Sequence, residues 1–314
     1  MPRRTIEIIP LVKGDEVYQK ATPHPVALPR ERRPEWLKKK LPSDPNYFAL
    51  KRLMREKGLH TVCEEANCPN ITECWTNRTA TFLMLGNICT RACGFCDVIS
   101  GKPLPLDENE PREVVEAVKA LELKHVVITS VNRDDLPDGG AHIYAEVTRL
   151  IHQELPGCRV ELLIPDFVGN WDALKMVLDA QPEILNHNTE TVPRFYRHVR
   201  HKARYPRTLE LLRRAKDLGQ SYNVITKTGV MVGLGETKEE LMEVMRDLRE
   251  VDCDVLTLGQ YMRPSPKHLS VERYYTPTEF EELKEVALSL GFKYVESGPL
   301  VRSSYHAHQQ APNA

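Results

Sequence analysis

The feature that most constrains this chain is a rhythm that begins at residue 81. Short apolar runs, TFLMLGNI (81–88), HVVITSV (125–131), RVELLI (159–164), EILNHN (183–188), NVITKTGVMVG (223–233) and DVLTLGQ (254–260), alternate with amphipathic stretches. The runs read as buried strands. The stretches between them carry helical stripes, such as Val114, Val115, Val118 and Leu121, or Leu241, Val244, Met245 and Leu248. Such alternation predicts right-handed βαβ units and a parallel sheet, because each crossover helix must pack back on the sheet it leaves. Six units are fewer than the eight of a closed (β/α) barrel. The expected fold is therefore α/β, a partial (β/α)6 barrel over 81–275.

Polar residues gather just after these strands: Asn132-Arg133-Asp134-Asp135, Asp166, Asn188 with Glu190, Gly233-Leu234-Gly235-Glu236, and Gln260 with Arg263. In parallel α/β folds the active site forms at the carboxyl ends of the strands, from such loops. Taken singly, each of these residues reads as a cap for the next helix, Asp134 and Asp135 among them. As a set converging on one rim they read as a site.

Outside the rhythm the chain changes character. The first 45 residues hold eight of the 23 prolines and the charged run RERRPEWLKKK, with no sustained helical or strand period, so an extended arm is expected over 1–45. Trp36, Leu37 and Leu41 beside three lysines favour docking of part of it. Residues 46–58 have helical spacing at Phe48, Leu50, Leu53 and Met54, with Gly58 as a stop. With 43 basic against 44 acidic residues, the formal net charge of -1 argues against nucleic acid or a membrane surface as partner. No apolar run approaches the ~18 residues of a spanning helix. The opening MPRRTIEIIPLVKGDEVYQK lacks the apolar stretch of a secretory signal, so a cytoplasmic location is expected.

Six of the eight cysteines fall between residues 63 and 96, while Cys158 and Cys253 sit alone in apolar surroundings and are expected in the core. Clustered thiols in a reducing compartment hold metal more often than disulfides. Cys89, Cys93 and Cys96 form a C-x3-C-x2-C run directly after the first strand. A structural zinc wants four protein ligands, and a catalytic one mixes in His or carboxylate. Three thiolates on one loop suit an iron–sulfur cube that leaves one iron open for a substrate or cofactor. Cys63, Cys68 and Cys74 form a second triplet ahead of the barrel, pointing to a second cluster that also lacks a fourth cysteine. A structural zinc completed by a distant histidine such as His60 is the alternative there.

A C-x3-C-x2-C loop with an aromatic before its last cysteine, opening a six-unit partial barrel, resembles the radical S-adenosylmethionine superfamily. The resemblance implies a [4Fe-4S] cluster on Cys89, Cys93 and Cys96, whose open iron takes the amino and carboxylate groups of S-adenosylmethionine. An electron delivered to the sulfonium then yields a 5′-deoxyadenosyl radical. CEEANCPNITECW ahead of that loop and GPLVRSSYHA near the C-terminus closely resemble the lipoyl synthase family, and the similarity runs from PEWLKKKLP through SVNRDDLPDGGA to RSSYHA.

This second resemblance implies two [4Fe-4S] clusters, the auxiliary one held by Cys63, Cys68, Cys74 and Ser304. An alkoxide is a harder ligand that matches iron less well than thiolate, so it can leave when a cluster is dismantled. The implied reaction inserts two sulfurs at C6 and C8 of a protein-bound octanoyl chain, with the auxiliary cluster as donor. The implied partners are octanoylated lipoyl carrier domains (2-oxoacid dehydrogenase E2 subunits and the glycine-cleavage H protein), an electron donor and an iron–sulfur carrier. For S-adenosylmethionine, the backbone at Phe95 is expected against adenine. Asn132, Asn188 and Glu190 are expected to make polar contacts, and Gly233 and Gly235 to permit close backbone approach. The chain then divides into the arm (1–45), an auxiliary-cluster segment (46–80), the partial barrel (81–275) and a C-terminal helix and tail (276–314). A biotin-synthase-type enzyme is the alternative within the superfamily; the second triplet and the serine ending speak against it. A two-cluster ferredoxin-like carrier is the alternative outside it, and leaves the α/β scaffold and the missing fourth cysteines unexplained.

Overall fold

Every one of the six expected strands forms, and the sheet they build is larger than the expected one. The computed structural model describes residues 34–38, 42–56, 59–65, 68–76, 81–305 and 307. Most of the expected arm, with Lys39, Lys40 and Leu41, lies outside these residues, as does Gly58. After a short 3-10 turn at Glu35–Leu37, helix α1 spans Pro45–Glu56. It buries Tyr47, Leu50 and Met54, a stripe at i, i+3 and i+7. Phe48, expected on that stripe, is 51% exposed. Tyr47 takes its place and meets the buried Trp75 with ring centroids 5.2 Å apart.

Strand β1 (His60–Thr61) and helices α2 (Val62–Glu65) and α3 (Ile71–Thr76) follow, and then the βα rhythm sets in. Strand β2 is Thr81–Met84, and two short strands, β3 (Ile88–Cys89) and β4 (Ile99–Ser100), pair with each other beside the main sheet. Next come α4 (Glu110–Ala120), β5 (His125–Ser130), α5 (Ala141–Glu154), β6 (Arg159–Leu163), α6 (Trp171–Leu178) and β7 (Ile184–Asn186). The chain continues through α7 (Tyr196–Val199), α8 (Tyr205–Leu218), β8 (Ile225–Val232), α9 (Lys238–Glu250), β9 (Val255–Gln260), α10 (Pro277–Ser289) and β10 (Tyr294–Gly298).

The main sheet has the order β1-β2-β5-β6-β7-β8-β9-β10. Its pairs are parallel except β1 on β2. The six expected strands are thus flanked by an antiparallel strand at one edge and a further parallel one at the other. β10 escapes a reading by apolar runs because YVESG buries only Val295 deeply. Strands β2 and β9 are buried along their whole length, as strands covered on both faces must be. The apolar faces of α1, α4, α5 and α6 pack under the first half of the sheet, and those of α9 and α10 under the second. Cys158 and Cys253 are buried in these cores, as expected.

β1 and β10 do not pair, yet the two edges meet through side chains. The Asn70 amide donates to the Leu300 carbonyl at 2.6 Å, and the Tyr305 hydroxyl donates to Glu73 at 2.9 Å. The interior of the curved sheet also holds a polar knot. Lys227 Nζ donates to Glu161 Oε1 at 2.7 Å, Asn186 donates to the same oxygen at 3.1 Å, and His125 lies 3.4 Å from Oε2. Burial opposes the Glu161 charge, but Lys227 and His125 outweigh it and hold the carboxyl down at about 2. No helix among the described residues is long and apolar enough to cross a membrane.

Candidate active site

The loop carrying Cys89, Cys93 and Cys96 leaves β2 through a strained turn. Leu85 and Gly86 both have positive φ, and a side chain at φ +67° such as Leu85 needs support from its surroundings. The Glu110 carboxylate accepts from Leu85 N–H at 2.7 Å, Arg133 donates to the Leu85 carbonyl, and the leucine side chain fills space beside Gly140 that a Cβ would occupy. Beyond the turn, Cys89 lies on β3, and its Sγ accepts from the N–H groups of Arg91 (3.4 Å) and Asn132 (3.3 Å). Further along, Gly94 N–H reaches the Val199 carbonyl, Leu269 N–H reaches the Gly94 carbonyl, and His268 sits 3.0 Å from the Cys96 carbonyl. A Cβ at Gly94 would lie 2.9 Å from Leu269, so the loop is held against that segment.

Arg91, at the centre of the loop, is the deepest of its ties. It is buried and donates to Asp134 (2.8 Å) and Asp166 (2.6 Å), while Arg207 donates to the other Asp166 oxygen at 2.9 Å. Burial works against the Arg91 charge, but the two carboxylates outweigh it and raise the guanidinium above its usual range. Asp134 is therefore a partner of the cysteine loop and not the helix cap that the sequence suggests. Asp138 does that work for α5, accepting from Gly140 and His142 N–H.

Around this loop stand the expected rim residues. Asn132 binds Cys89 through its N–H, while its side-chain Oδ1 is buried without a partner among the described residues. Asn188 donates to Glu190 (3.1 Å), and among the described residues its Oδ1 also lacks a partner, as does Nε of Arg200. Glu190 has φ +67° and lies near Arg200, Cys93 and Cys96. Phe95 packs toward Val199, Leu234 and Tyr261, which brings it beside the Gly233-Leu234-Gly235 loop. Gly233 is needed for packing: a Cβ there would lie 2.2 Å from Gln260 Nε2. Its N–H is taken by Glu236 at 2.6 Å. Gln260 and Arg263 are committed to their own loop, Gln260 to Val232, Arg273 and Tyr275, and Arg263 to His268.

The second triplet lines a separate recess with Asn70, Thr81, Arg302, Ser304 and Tyr305. Cys63, Cys68, Cys74 and Ser304 are thus neighbours, although 230 residues separate Cys74 from Ser304 in the chain. Ser303 faces away, its hydroxyl 3.4 Å from the Asn188 amide. The Asn70 Oδ1 in the recess is buried without a partner among the described residues, and the Trp75 side chain bears on the Cys63 thiol as a hydrogen-bond donor.

Burial pushes the thiols of Cys63 and Cys96 up to about 12 and that of Cys93 to about 11, so metal must displace a proton at each. Three thiols in each group are the soft donors that an iron–sulfur cluster takes. The unpartnered acceptors of Asn132 and Asn188 and the Arg200 donor fit a ligand with both ammonium and carboxylate groups. The residues present therefore fit the cofactors. Arg91, Arg200 and Arg302 escaped the sequence reading, because only long-range contacts reveal what they touch.

The sequence profile of the Radical SAM superfamily matches residues 83–248, and that of the N-terminal domain of lipoyl synthase of the Radical SAM family matches residues 14–68. A lipoyl synthase from Rubrobacter xylanophilus is 59% identical over 285 residues, 91% of this chain and 88% of that protein. The chain belongs to the lipoyl synthase family. Another member, from Chloroflexus aggregans, is 57% identical over 96% of this chain and 97% of its own length. Among solved structures, the FeFe-hydrogenase maturase HydG from Carboxydothermus hydrogenoformans aligns with a TM-score of 0.54 at 15% identity, covering 79% of this chain and 56% of that one. That likeness shows an α/β fold, and with the profile match over residues 83–248 it is the fold of the Radical SAM superfamily. This family member is accordingly a sulfur-inserting radical-SAM enzyme that uses S-adenosylmethionine and a [4Fe-4S] cluster, and acts on a protein substrate carrying octanoyl groups.

Proposed function

We propose that Cys89, Cys93 and Cys96 hold the [4Fe-4S] cluster that binds S-adenosylmethionine, and that Cys63, Cys68, Cys74 and Ser304 hold a second one. The observation that carries this reading is the recess in which three cysteines and one serine from opposite ends of the chain stand together. When bound, the first cluster with S-adenosylmethionine supplies a radical able to take hydrogen from an unactivated C–H bond, and the second supplies sulfur to C6 and C8 of the octanoyl chain.

The chain's own residues do the rest. Arg91, clamped by Asp134 and Asp166, fixes the cysteine loop against β5 and β6. Asn132, Asn188 and Glu190 offer polar groups to the ribose and methionyl parts, Phe95 an apolar wall with its backbone toward adenine, and the turn at Gly233 a close backbone. The tail Val301–Tyr305 reaches both sites, with Ser303 against Asn188 and Ser304 on the recess. Residues 46–80 and 276–314 are assigned to the second cluster, 81–275 to the radical barrel and 1–45 to the arm.

The substrates assigned are lipoyl domains of E2 subunits and the H protein, in the cytoplasm, with an electron donor and an iron–sulfur carrier as further partners. Docking of the arm falls on Leu37, which is 3% exposed, while Trp36 at 41% stays available to a carrier. The test is mass spectrometry of an octanoylated lipoyl-domain peptide after anaerobic incubation with reductant and S-adenosylmethionine. A gain of two sulfurs is expected, as the dithiol under reductant, with two hydrogens lost only when the product is afterwards oxidised to the disulfide. An unchanged mass under conditions that produce 5′-deoxyadenosine would overturn the proposal.

A further inference from the structure

A basic segment follows the rim of the candidate site. Residues 191–209 hold Arg194, Arg197, Arg200, Lys202, Arg204 and Arg207 and not one Asp or Glu, so the rest of the chain carries an acidic excess. Its ties lay it along the carboxyl ends of the strands. Arg194 donates to the Gly235 carbonyl after β8 at 3.1 Å, and Arg200 to the Asn188 carbonyl after β7 at 2.5 Å. Two ties reach the cysteine loop: the Val199 carbonyl accepts from Gly94 N–H, and Lys202 Nζ donates to the Thr90 carbonyl at 2.9 Å. Arg207 ends the series on Asp166, after β6. The outward charge of this segment is unmatched. Elsewhere exposed cations stand beside acids, Lys175 by Asp179, Arg213 by Glu210 and Asp217, Lys238 by Glu282. Within the segment Glu240 matches Arg194 and Asp166 matches Arg207. Arg197 and Arg204 are exposed, and among the described residues neither side chain pairs with a carboxylate or donates a hydrogen bond. Exposed Lys202 lies 4.0 Å from Asp134, which Arg91 already holds. Like charges gathered without counter-ions repel one another, so folding gains nothing from them. A partner that brings the missing carboxylates does.

We infer that the 191–209 segment, through Arg197, Lys202 and Arg204, is the docking face for an acidic surface on the protein that carries the octanoyl chain. This rests on the function proposed above, in which a protein-borne acyl chain must reach the cysteine loop that the segment borders. A carrier gripped at that border delivers its chain to the loop without contacts deeper in the site. Charge matching of this kind acts on encounter and on salt dependence more than on the chemistry that follows. A long polyanion such as RNA suits the molecule less well, because the acidic excess of the remaining chain repels it. A compact acidic protein face meets the segment alone.

The experiment measures the Kd of octanoylated H protein by titration calorimetry, without reductant, on the cluster-loaded full chain and two variants. One variant is Arg197→Glu/Arg204→Glu. The control is Arg149→Glu/Arg246→Glu, which makes the same charge change at exposed positions on α5 and α9. Kd should rise about tenfold in the first variant and less than about twofold in the control, and the gap should narrow as salt goes from about 0.05 to about 0.3 M. Turnover of a short octanoyl-lysyl peptide, which lacks the carrier's surface, should be equal in all three. The inference is overturned if the parent does not bind H protein, if the two variants have the same Kd, or if the first variant loses as much on the peptide as on the carrier. It is equally overturned if a random-sequence RNA binds this face more tightly than H protein does. Binding is read without the chemistry, so the two readings separate: a parent that binds H protein as expected and never inserts sulfur sinks the proposed function and leaves the docking face in place.

Discussion

Arg91 carries the sharpest prediction at the scale of single residues. Removing one partner of a buried, hydrogen-bonded ion pair strands the other charge and costs about 3–5 kcal/mol. Arg91→Ala is expected to lower stability by about that much in urea titrations and to remove the cluster nearest it, halving iron, while Arg91→Lys keeps part of both. The adjacent serines give the second. Ser304→Ala should still form 5′-deoxyadenosine yet fail to insert sulfur, and Ser303→Ala should be milder, because its hydroxyl meets Asn188 and not the recess. If product analysis by mass spectrometry reverses the two, the serine assignment is off by one. The cysteines were legible in the sequence because ligand spacing is local. Arg91 was not, since nothing in CTRAC tells that its third residue is buried between carboxylates 43 and 75 positions away. Ser304 stood out only through resemblance.

At the scale of elements, the apolar runs found the six inner strands because each is buried on both faces. The outer two were missed because β1 has two residues and β10, of its five, buries only Val295 deeply. α1 was found with its stripe misplaced, since Tyr47 and Phe48 are both aromatic and only packing on Trp75 chooses between them. The junction of β9 with the tail is where element packing meets the site. Gly259→Ala puts a methyl group into the Val301 carbonyl, an overpacking that costs roughly 1–3 kcal/mol if the tail stays and less if it swings out. Displacement of the tail is expected. Iron assigned to the recess should drop while S-adenosylmethionine cleavage continues, and iron analysis alongside 5′-deoxyadenosine measurement checks both halves.

For the whole molecule, the interior knot of Glu161, Lys227, Asn186 and His125 ties strands β5 to β8 together. Glu161 falls from 4.5 to about 2 on folding, so its contribution is complete above pH 4.5 and is lost as the pH drops through 2. Glu161→Gln should be less stable at neutral pH, since Lys227 loses its counter-ion, and its urea midpoint should vary less between pH 4.5 and 2. Measuring the cluster-free chain keeps acid loss of iron out of the comparison. An unchanged slope would show that other carboxylates dominate the acid limb.

The meeting of the sheet's two unpaired edges has a consequence for the life of the molecule. Cys63, Cys68 and Cys74 follow the strand at one margin and Ser304 follows the strand at the other, so whatever binds all four acts as a clasp across an open seam. Without it, the Asn70–Leu300 and Tyr305–Glu73 hydrogen bonds remain as fastenings there. Unpaired strand margins are the places where chains stick to one another. On the proposed ligand set, a second cluster consumed as sulfur donor would leave a loosened seam after each round, and protease digestion of protein before and after one turnover should cut the 299–305 segment faster in the spent form. Repair of the cluster would then restore more than a reagent: it would re-close the barrel.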